Sequence, residues 1–223
     1  MFNFFRKKKI SNISIDNIYN QHLYTGLNGI LMRYCHRKLE KTFPKIKCKK
    51  VLEIGAGSEP HYKYLENKDL KYFILELKGQ RKRINKKFIY KLYNGKKIPF
   101  KDNEFDRIIL SHTLEHIPYP EEFLNQVVKK VRKGGVISIS LPTDPAVMWR
   151  IGRLFNKLFK IKKSLNTSSL EYDYMNSIEH INSFFNLYNI INYNFRGKLK
   201  DDFLPFKINL PDLNLFYNVH LTK

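Results

Sequence analysis

Short apolar runs alternate with polar, helix-compatible stretches along the middle of the chain, and this alternation limits the possible folds most strongly. The runs are rich in β-branched and aromatic residues and occupy 50–54, 72–75, 88–90, 107–110 and 135–140. Between the last two runs, Phe123, Val127 and Val131 share one face of a helix predicted over 120–132. Buried strands that alternate with helices indicate a parallel sheet covered on both faces.

The two ends of the chain follow different patterns. Apolar residues at helical spacing over 12–42 predict one or two helices that end near Pro44, and 177–192 also has a helical pattern. Apolar and polar residues alternate over 215–221, which indicates a half-buried, antiparallel last strand. We predict a single domain of residues 1–223. It consists of an N-terminal helical extension (1–45), a cofactor-binding core (50–143), an insertion or lid (144–176) and a C-terminal helix with a β-hairpin (177–223).

The first strand of the core runs into a glycine-containing loop, Gly55-Ala56-Gly57-Ser58-Glu59-Pro60, after which a helix is predicted. Glycines let a ligand approach the backbone closely. A strand, glycine turn and helix at the carboxyl edge of a parallel sheet bind nucleotide-like ligands. Glu76 closes the second strand roughly 20 residues further on, where a carboxylate that accepts ribose hydroxyls is expected.

The residues of this loop distinguish between nucleotide-like ligands. A dinucleotide fingerprint ends in glycine or alanine where this chain has Pro60, and the carboxylate of Glu59 would repel a pyrophosphate. The Gly-Lys-Ser/Thr of a phosphate-binding loop is absent. S-adenosylmethionine fits better, because it carries adenine, ribose and an amino acid without phosphate, and its sulfonium is positive.

Several ordered motifs at fitting spacings resemble those of class I S-adenosylmethionine-dependent methyltransferases. Residues 53–57 are similar to the first motif of that family, and Glu76 to the acid of its second strand. Residues 94–106, 111–117 and 133–135 resemble three further segments. The resemblance covers the predicted core and implies an α/β fold: a Rossmann-like three-layer sandwich with a mostly parallel seven-stranded sheet, an antiparallel last strand and an N-terminal helical extension.

The resemblance also implies S-adenosyl-L-methionine as the cofactor and a set of residues that hold it. These are Glu53, Gly55, Ala56 and Gly57 for the methionine part, Glu76 for the ribose, Asn94 for the adenine, Ser111 and His112 near the methyl donor, and also Leu77. Two positions depart from the family. Glu59 replaces the third glycine of the first motif, and Asn94 stands where an aspartate is usual, although an amide oxygen can also accept a hydrogen bond from the adenine amino group.

Residues 112–116 spell H-x-x-E-H, which is also a signature of zinc peptidases. Two histidines four residues apart could share a helix face and bind zinc. Here, however, the segment follows a buried strand within the methyltransferase pattern. We therefore predict cofactor lining for His112, local packing or capping for Glu115 and His116, and no metal.

Methyl transfer is an in-line displacement at a sulfonium, so positioning supplies much of its acceleration, and an oxygen acceptor also benefits from a base. His180 follows the predicted insertion and, with a usual pKa of about 6.5, could take a hydroxyl proton. The alternative is a solvated or capping histidine. We predict His180 and His112 as catalytic residues, with Asp144, Tyr172 and Tyr174 as weaker candidates for the acceptor site.

The stretch 147–163 combines apolar residues at helical spacing with six Lys or Arg and no acid. A basic amphipathic helix can lie on an anionic membrane, and the alternative is a lid helix on the sheet with a solvated basic face. The whole chain has 41 Lys+Arg, 20 Asp+Glu and a net charge of +21, which favours polyanionic partners, although a bias towards Lys, Asn and Ile also accounts for it.

Two cysteines, Cys35 and Cys48, cannot build a disulfide framework and indicate reduced thiols. No apolar run approaches the roughly 18–20 residues of a spanning helix, and the first residues lack the order of a signal peptide. We predict a cytoplasmic protein, with a peripheral position at the inner face of the membrane as the variant that the basic stretch suggests.

Together these features predict an S-adenosylmethionine-dependent methyltransferase that acts on a small-molecule acceptor by O-methylation of a sugar or lipid-linked saccharide. Residues 55–62 and 149–153 are similar to bacterial enzymes of surface-polysaccharide assembly. Two alternatives stay open: an RNA methyltransferase, and a non-catalytic relative that acts as a binding protein. Against the first, no Asn/Asp-Pro-Pro-Tyr/Phe motif follows the fourth strand, where residues 111–114 stand.

Overall fold

The computed structural model describes residues 24–77, 87–159, 173–174, 177–197 and 199–223. The strands in these ranges are β1 (Lys50–Ile54), β2 (Lys71–Leu77), β3 (Ile89–Tyr93), β4 (Phe105–Ser111), β5 (Val131–Pro142), β6 (Leu199–Leu204) and β7 (Phe216–Thr222). They form one sheet in the order β3-β2-β1-β4-β5-β7-β6. Strands β1 to β5 run parallel, and β7 is antiparallel to both neighbours. This confirms the predicted seven-stranded, mostly parallel sheet with an antiparallel last strand.

Helices cover both faces of the sheet. The described ranges contain α1 (Gly26–Lys41), α2 (Pro120–Lys130), α3 (Val147–Phe159) and α4 (Phe184–Asn194). Leu52 of β1 lies in the hydrophobic cluster that includes Val127 of α2 and Leu187 of α4. The preceding residue of the strand, Val51, lies in the cluster that includes Leu39 of α1. Because successive side chains of a strand point to opposite faces, α2 and α4 cover one face and α1 the other.

The prediction of a helix after the glycine loop is wrong. A single 3₁₀ turn, His61–Tyr64, replaces it. Pro60 before the turn and Leu65 after it both have extended ψ angles, 139° and 131°. The His61 N–H donates to the buried carboxylate of Glu53, so the first donor of this segment is already satisfied outside a helix.

The helix predicted over 177–192 is interrupted. Residues 177–179 are helical, residues 180–183 are not, and α4 begins only at Phe184. Ser183 caps this second start, since its side chain accepts the N–H of Asn186 at 3.3 Å. The stretch before residue 24 that was predicted to be helical lies outside the described residues.

Helix α3 occupies the segment that was expected to be an insertion. It exposes apolar side chains at helical spacing: Val147, Ile151, Leu154 and Phe155. Residues 160–163 of the basic stretch lie outside the described residues. Among the helices that are described, none has the length and apolarity that a bilayer crossing requires.

Candidate functional site

The glycine loop lies at the carboxyl end of β1 and needs glycine for two different reasons. Gly55 has a φ of +73°, and a Cβ on it would lie 2.8 Å from Oγ1 of Thr113, which is fixed by donating to the carbonyl of Ile54 at 2.9 Å. Gly57 also has a positive φ, +61°, but within the described residues nothing lies within 4 Å of its Cβ position. The loop is therefore packed tightly at Gly55 and open at Gly57.

The acid of the second strand lies beside this loop, as predicted. Glu76 is buried near the end of β2, and its Oε1 accepts the N–H of Gly57 at 3.2 Å. Leu77 follows and is half-exposed, with a methyl group 3.3 Å from the Cβ position of Gly95. Asn94 is exposed, and its Oδ1 accepts the N–H of Lys96 at 3.1 Å. The predicted ribose and adenine residues thus lie along neighbouring strand ends.

Glu53 occupies a different position from the other predicted cofactor residues. Its side chain is only 1% exposed, and its carboxylate accepts the N–H of His61 at 3.0 and 3.1 Å and the hydroxyl of Tyr72 at 2.7 Å. Burial, together with the charge of Glu53, raises the pKa of Tyr72 well above its usual value, so the phenol stays protonated as a donor. Glu53 fixes the segment after the loop, and its direct contact with a cofactor stays a prediction.

The carboxyl ends of β4 and β5 bring together further polar side chains, three of them buried and five half-buried. We name them the strand-end cluster: Ser111, His112, Glu115, His116, Asp144, Trp149, Arg153 and His180. Ring contacts join its parts, since His116 lies 5.2 Å and Trp149 6.3 Å from His180 between ring centroids. The sequence predicted Ser111, His112 and His180 here and treated Asp144 as a weaker candidate.

His112 has strained backbone and a buried ring. Its φ is +52°, which is uncommon for a residue with a Cβ and clusters at functional sites. The N–H of His112 donates to the carbonyl of Ser140 at 2.9 Å, so the neighbouring strand fixes this conformation. Burial lowers the pKa of His112 to about 4, so its imidazole is neutral at pH 7.

Asp144 connects the end of β5 to α3 and to the segment before α4. Its Oδ2 accepts a hydrogen bond from Nδ1 of His180 at 2.6 Å and another from the guanidinium of Arg153. The carboxylate therefore orients the His180 ring and leaves its Nε2 as the other functional nitrogen. Sequence reasoning gave neither Arg153 nor Trp149 a site role. It counted Arg153 among the charges of a basic helix and noted Trp149 only within the segment 149–153. Tyr172, another weaker candidate, lies outside the described residues.

Glu115 and His116 lie next to His180, although the sequence predicted only packing or capping for them. Nδ1 of His116 donates to the backbone carbonyl of Glu179 at 2.6 Å. Glu115 is 1% exposed, and its Oε1 lies 3.9 Å from Nε2 of His116 and 3.8 Å from Nδ1 of His112. The structure therefore brings His180 to the second half of the H-x-x-E-H segment.

Many buried polar atoms of the strand-end cluster lack a hydrogen-bond partner among the described residues. They are Ser111 Oγ, His112 Nε2, Glu115 Oε2, Asp144 Oδ1, Trp149 Nε1 and Arg153 Nε. Leaving such an atom unsatisfied costs about 1–3 kcal/mol. Their concentration at one edge of the sheet indicates a place where a polar ligand supplies the missing partners.

A family model described as a methyltransferase domain matches residues 27–193. No curated protein sequence matches the chain significantly. The matched range begins in α1, includes the glycine loop and ends in α4, so it contains the whole strand-end cluster.

Solved structures with low sequence identity share the architecture. A structure from Thermotoga maritima, described as an SAM-dependent methyltransferase and possible histamine N-methyltransferase, has 16% identity and a TM-score of 0.61, and the alignment covers 93% of this chain and 95% of that one. The plantazolicin methyltransferase BpumL, in complex with a triazolic desmethylPZN analogue and SAH, has 14% identity, a TM-score of 0.65 and coverages of 94% and 92%.

An SAM-dependent methyltransferase from Archaeoglobus fulgidus is a third such structure, with 16% identity, a TM-score of 0.58 and coverages of 93% and 99%. At these identities the likeness establishes a shared fold.

Proposed function

The chain belongs to the family of methyltransferase domains and is an S-adenosylmethionine-dependent enzyme, and we propose that it methylates a hydroxyl group of a small-molecule acceptor, namely a sugar or a lipid-linked saccharide. The proposal has two parts, the placement of the methyl donor and the chemical class of the acceptor.

The residues around the glycine loop fit the donor. The open side of Gly57 leaves room for a ligand close to the backbone, and the carboxylate of Glu76 suits ribose hydroxyls. The carboxylate of Glu59 at this loop disfavours a pyrophosphate. Leu77 and Asn94 would contact the adenine, and Ser111 would lie near the reacting end. When bound, S-adenosylmethionine supplies an electrophilic methyl group on a positively charged sulfur.

The acceptor class rests on one observation, the unpartnered polar atoms of the strand-end cluster. They include donors, the N–H groups of Trp149 and Arg153, and acceptors, the carboxylate oxygens of Glu115 and Asp144. Sugar hydroxyls both donate and accept, so a sugar can satisfy both kinds of atom. The two carboxylates disfavour a phosphate backbone, which argues against RNA at this position despite the basic composition.

A lipid-linked form of the sugar is supported by α3. This helix contributes Trp149 and Arg153 to the strand-end cluster and exposes Ile151, Leu154 and Phe155. An acceptor whose sugar enters the cluster while its lipid stays in a membrane would suit such a helix. We therefore propose a peripheral contact with an anionic membrane through 147–163.

The test is a methyl-transfer screen with a labelled donor against nucleotide sugars, lipid-linked sugars in vesicles, amines and RNA. We expect label in a sugar product and its loss by roughly 10–100-fold in Asp144→Asn, because His180 and Arg153 lose an oriented, charged partner. The exposed Asp69→Asn is the matched control and should retain activity.

Two results would overturn this function. If the label enters only RNA or only amines, the proposed sugar acceptor is wrong and that other class is the acceptor. A protein that releases no heat with S-adenosylmethionine in calorimetry, and shows no thermal shift, would favour the non-catalytic alternative.

A further inference from the structure

We propose that Glu115, His116 and His180 bind one divalent transition-metal cation in the strand-end cluster. Each of the three side chains offers a ligand atom, and these atoms all lie within 4.8 Å of one another. Two imidazole nitrogens and one carboxylate oxygen are a donor set that first-row divalent metals accept, and it leaves positions open for other ligands.

The hydrogen bonds made by the Nδ1 atoms of the two histidines support the proposal. Nδ1 of His116 donates to the carbonyl of Glu179, and Nδ1 of His180 donates to the carboxylate of Asp144, both at 2.6 Å. Each Nδ1 therefore holds the proton, and each Nε2 keeps its lone pair. Metal-binding histidines in proteins show this arrangement, because the outer partner fixes the tautomer and the ring orientation.

Glu115 is the second, independent observation. Its side chain is 1% exposed, and Oε2 has no hydrogen-bond partner among the described residues. A buried carboxylate without full compensation is costly, and a cation would supply that compensation. Capping or packing, the roles expected from the sequence, leave this oxygen unexplained.

The donor set also indicates which cation to expect. Mg²⁺ and Ca²⁺ prefer oxygen ligands, whereas imidazole suits Zn²⁺, Co²⁺ and the neighbouring transition metals. The set differs from a zinc-peptidase arrangement, since His180 takes the place that His112 would have in H-x-x-E-H.

The inference deepens the proposed function and rests on it in one respect: the open positions of the cation would receive the acceptor hydroxyl. His180 would then give its Nε2 lone pair to the metal instead of acting as a free base. A metal-bound hydroxyl would lose its proton more readily, and that proton would pass to solvent water, so the site would prepare the acceptor oxygen without a separate basic side chain.

The experiment is calorimetry of untagged, chelator-treated, full-length protein with Co²⁺ or Zn²⁺ alone, together with the visible absorption spectrum of the Co²⁺ form. We expect one equivalent to bind, with ligand-field bands from nitrogen and oxygen donors. Glu115→Gln, His116→Gln and His180→Gln should each weaken binding by at least about 10-fold, and Asp144→Asn by about 10–100-fold. His112→Gln is the matched control and should bind Co²⁺ like the wild type; each variant is checked for folding by circular dichroism.

Three outcomes would overturn the site: no stoichiometric binding by folded protein, binding that Glu115→Gln and His116→Gln leave unchanged, or binding that depends on His112 and not on His180. The two proposals can fail separately. If protein that binds no metal methylates the sugar fully in excess chelator, the cation site is wrong and the proposed function stands. If the protein binds Co²⁺ stoichiometrically but methylates no sugar, the cation site stands and the proposed acceptor class is wrong.

Discussion

Two groups of buried and half-buried polar side chains differ in how completely their buried atoms are paired. Between α1 and the sheet lies what we call the α1 network: Glu40, His61, Arg107, Ser138 and His220. Arg107 donates to Glu40 at 2.7 Å and to Ser138 at 2.9 Å. The His61 ring lies 3.2 Å from the Glu40 carboxylate, and the His220 ring lies 3.0 Å from the Ser138 hydroxyl. Among the described residues, only one buried side-chain atom of this network, Nη2 of Arg107, lacks a partner.

The strand-end cluster is the opposite case, with six such atoms. The unpartnered atoms are buried in both groups, so the exposure of these atoms does not explain the difference. The difference is that the α1 network satisfies its atoms internally and therefore stabilises the docking of α1. The strand-end cluster carries an uncompensated desolvation cost, and a ligand would offset it.

The largest expected effect is on stability, in the α1 network. Arg107→Met removes the cation beside the buried Glu40 carboxylate. Burial alone would raise the pKa of Glu40, but the hydrogen bond from His61 and the charge of Arg107 lower it to about 2. Breaking a buried pair costs about 3–5 kcal/mol of unfolding free energy, measurable by denaturant titration.

Lys50→Met is the control for that variant. It removes a surface pair, Lys50 to Glu104 at 3.7 Å, which is worth about 0–1 kcal/mol. Equal losses in Arg107→Met and Lys50→Met would mean that the α1 network contributes no more than a surface ion pair.

The next effect is a pH dependence of stability. Burial, and next the charge of Arg107, lower the pKa of His220 from 6.5 to about 3. Between pH 6.5 and 4.5 the unfolded chain gains a proton at this position that the folded chain does not, so stability falls as the pH falls. At about 1.4 kcal/mol per pH unit the loss is on the order of 2–3 kcal/mol for this histidine. Unfolding free energies of wild type and His220→Gln over this window should diverge; parallel curves would contradict the assignment.

A smaller effect separates cofactor binding from stability. Glu76→Gln removes the charge that is proposed to hold ribose hydroxyls, and hydrogen bonds to a charged group contribute about 1.5–3 kcal/mol. We expect donor binding in calorimetry to weaken roughly 10–100-fold. The exposed Glu66→Gln is the matched control and should bind like the wild type. Unchanged affinity in Glu76→Gln would remove Glu76 from the donor site.

The sequence predicted those parts of the molecule that depend on neighbouring residues along the chain. The β-branched runs predicted the strands, and the spacing from the glycine loop to Glu76 predicted a ribose-binding acid at the end of the second strand. The hydrogen bond from Gly57 places Glu76 beside the loop, and its contact with ribose stays a prediction. The 3₁₀ turn at His61–Tyr64 was missed, because the helical pattern did not include the bond from His61 to Glu53.

The contacts of the strand-end cluster could not be predicted in the same way. Asp144, Arg153 and His180 come from three separate segments, and only the packing of α3 and of the chain before α4 onto the sheet brings them together. The same limit applies to the α1 network, where Glu40 and Arg107 are 67 residues apart. Charged residues on a helix carry no local signal of the distant partner that they meet.

The smallest effects test the contrast most directly, because one residue type occurs in both groups on neighbouring strands. Ser138→Ala removes the partner of Arg107 Nε and of the His220 ring, so it should lower the unfolding free energy by about 1–2 kcal/mol. Ser111→Ala removes a buried hydroxyl that has no partner among the described residues, so the ligand-free protein should gain about 0.5–1 kcal/mol while donor affinity falls. Denaturant titrations with and without S-adenosylmethionine measure both. In the ligand-free protein, the two variants must change the unfolding free energy in opposite directions. A loss of stability in Ser111→Ala would show that the Ser111 hydroxyl has a partner within the fold and is not available for a ligand.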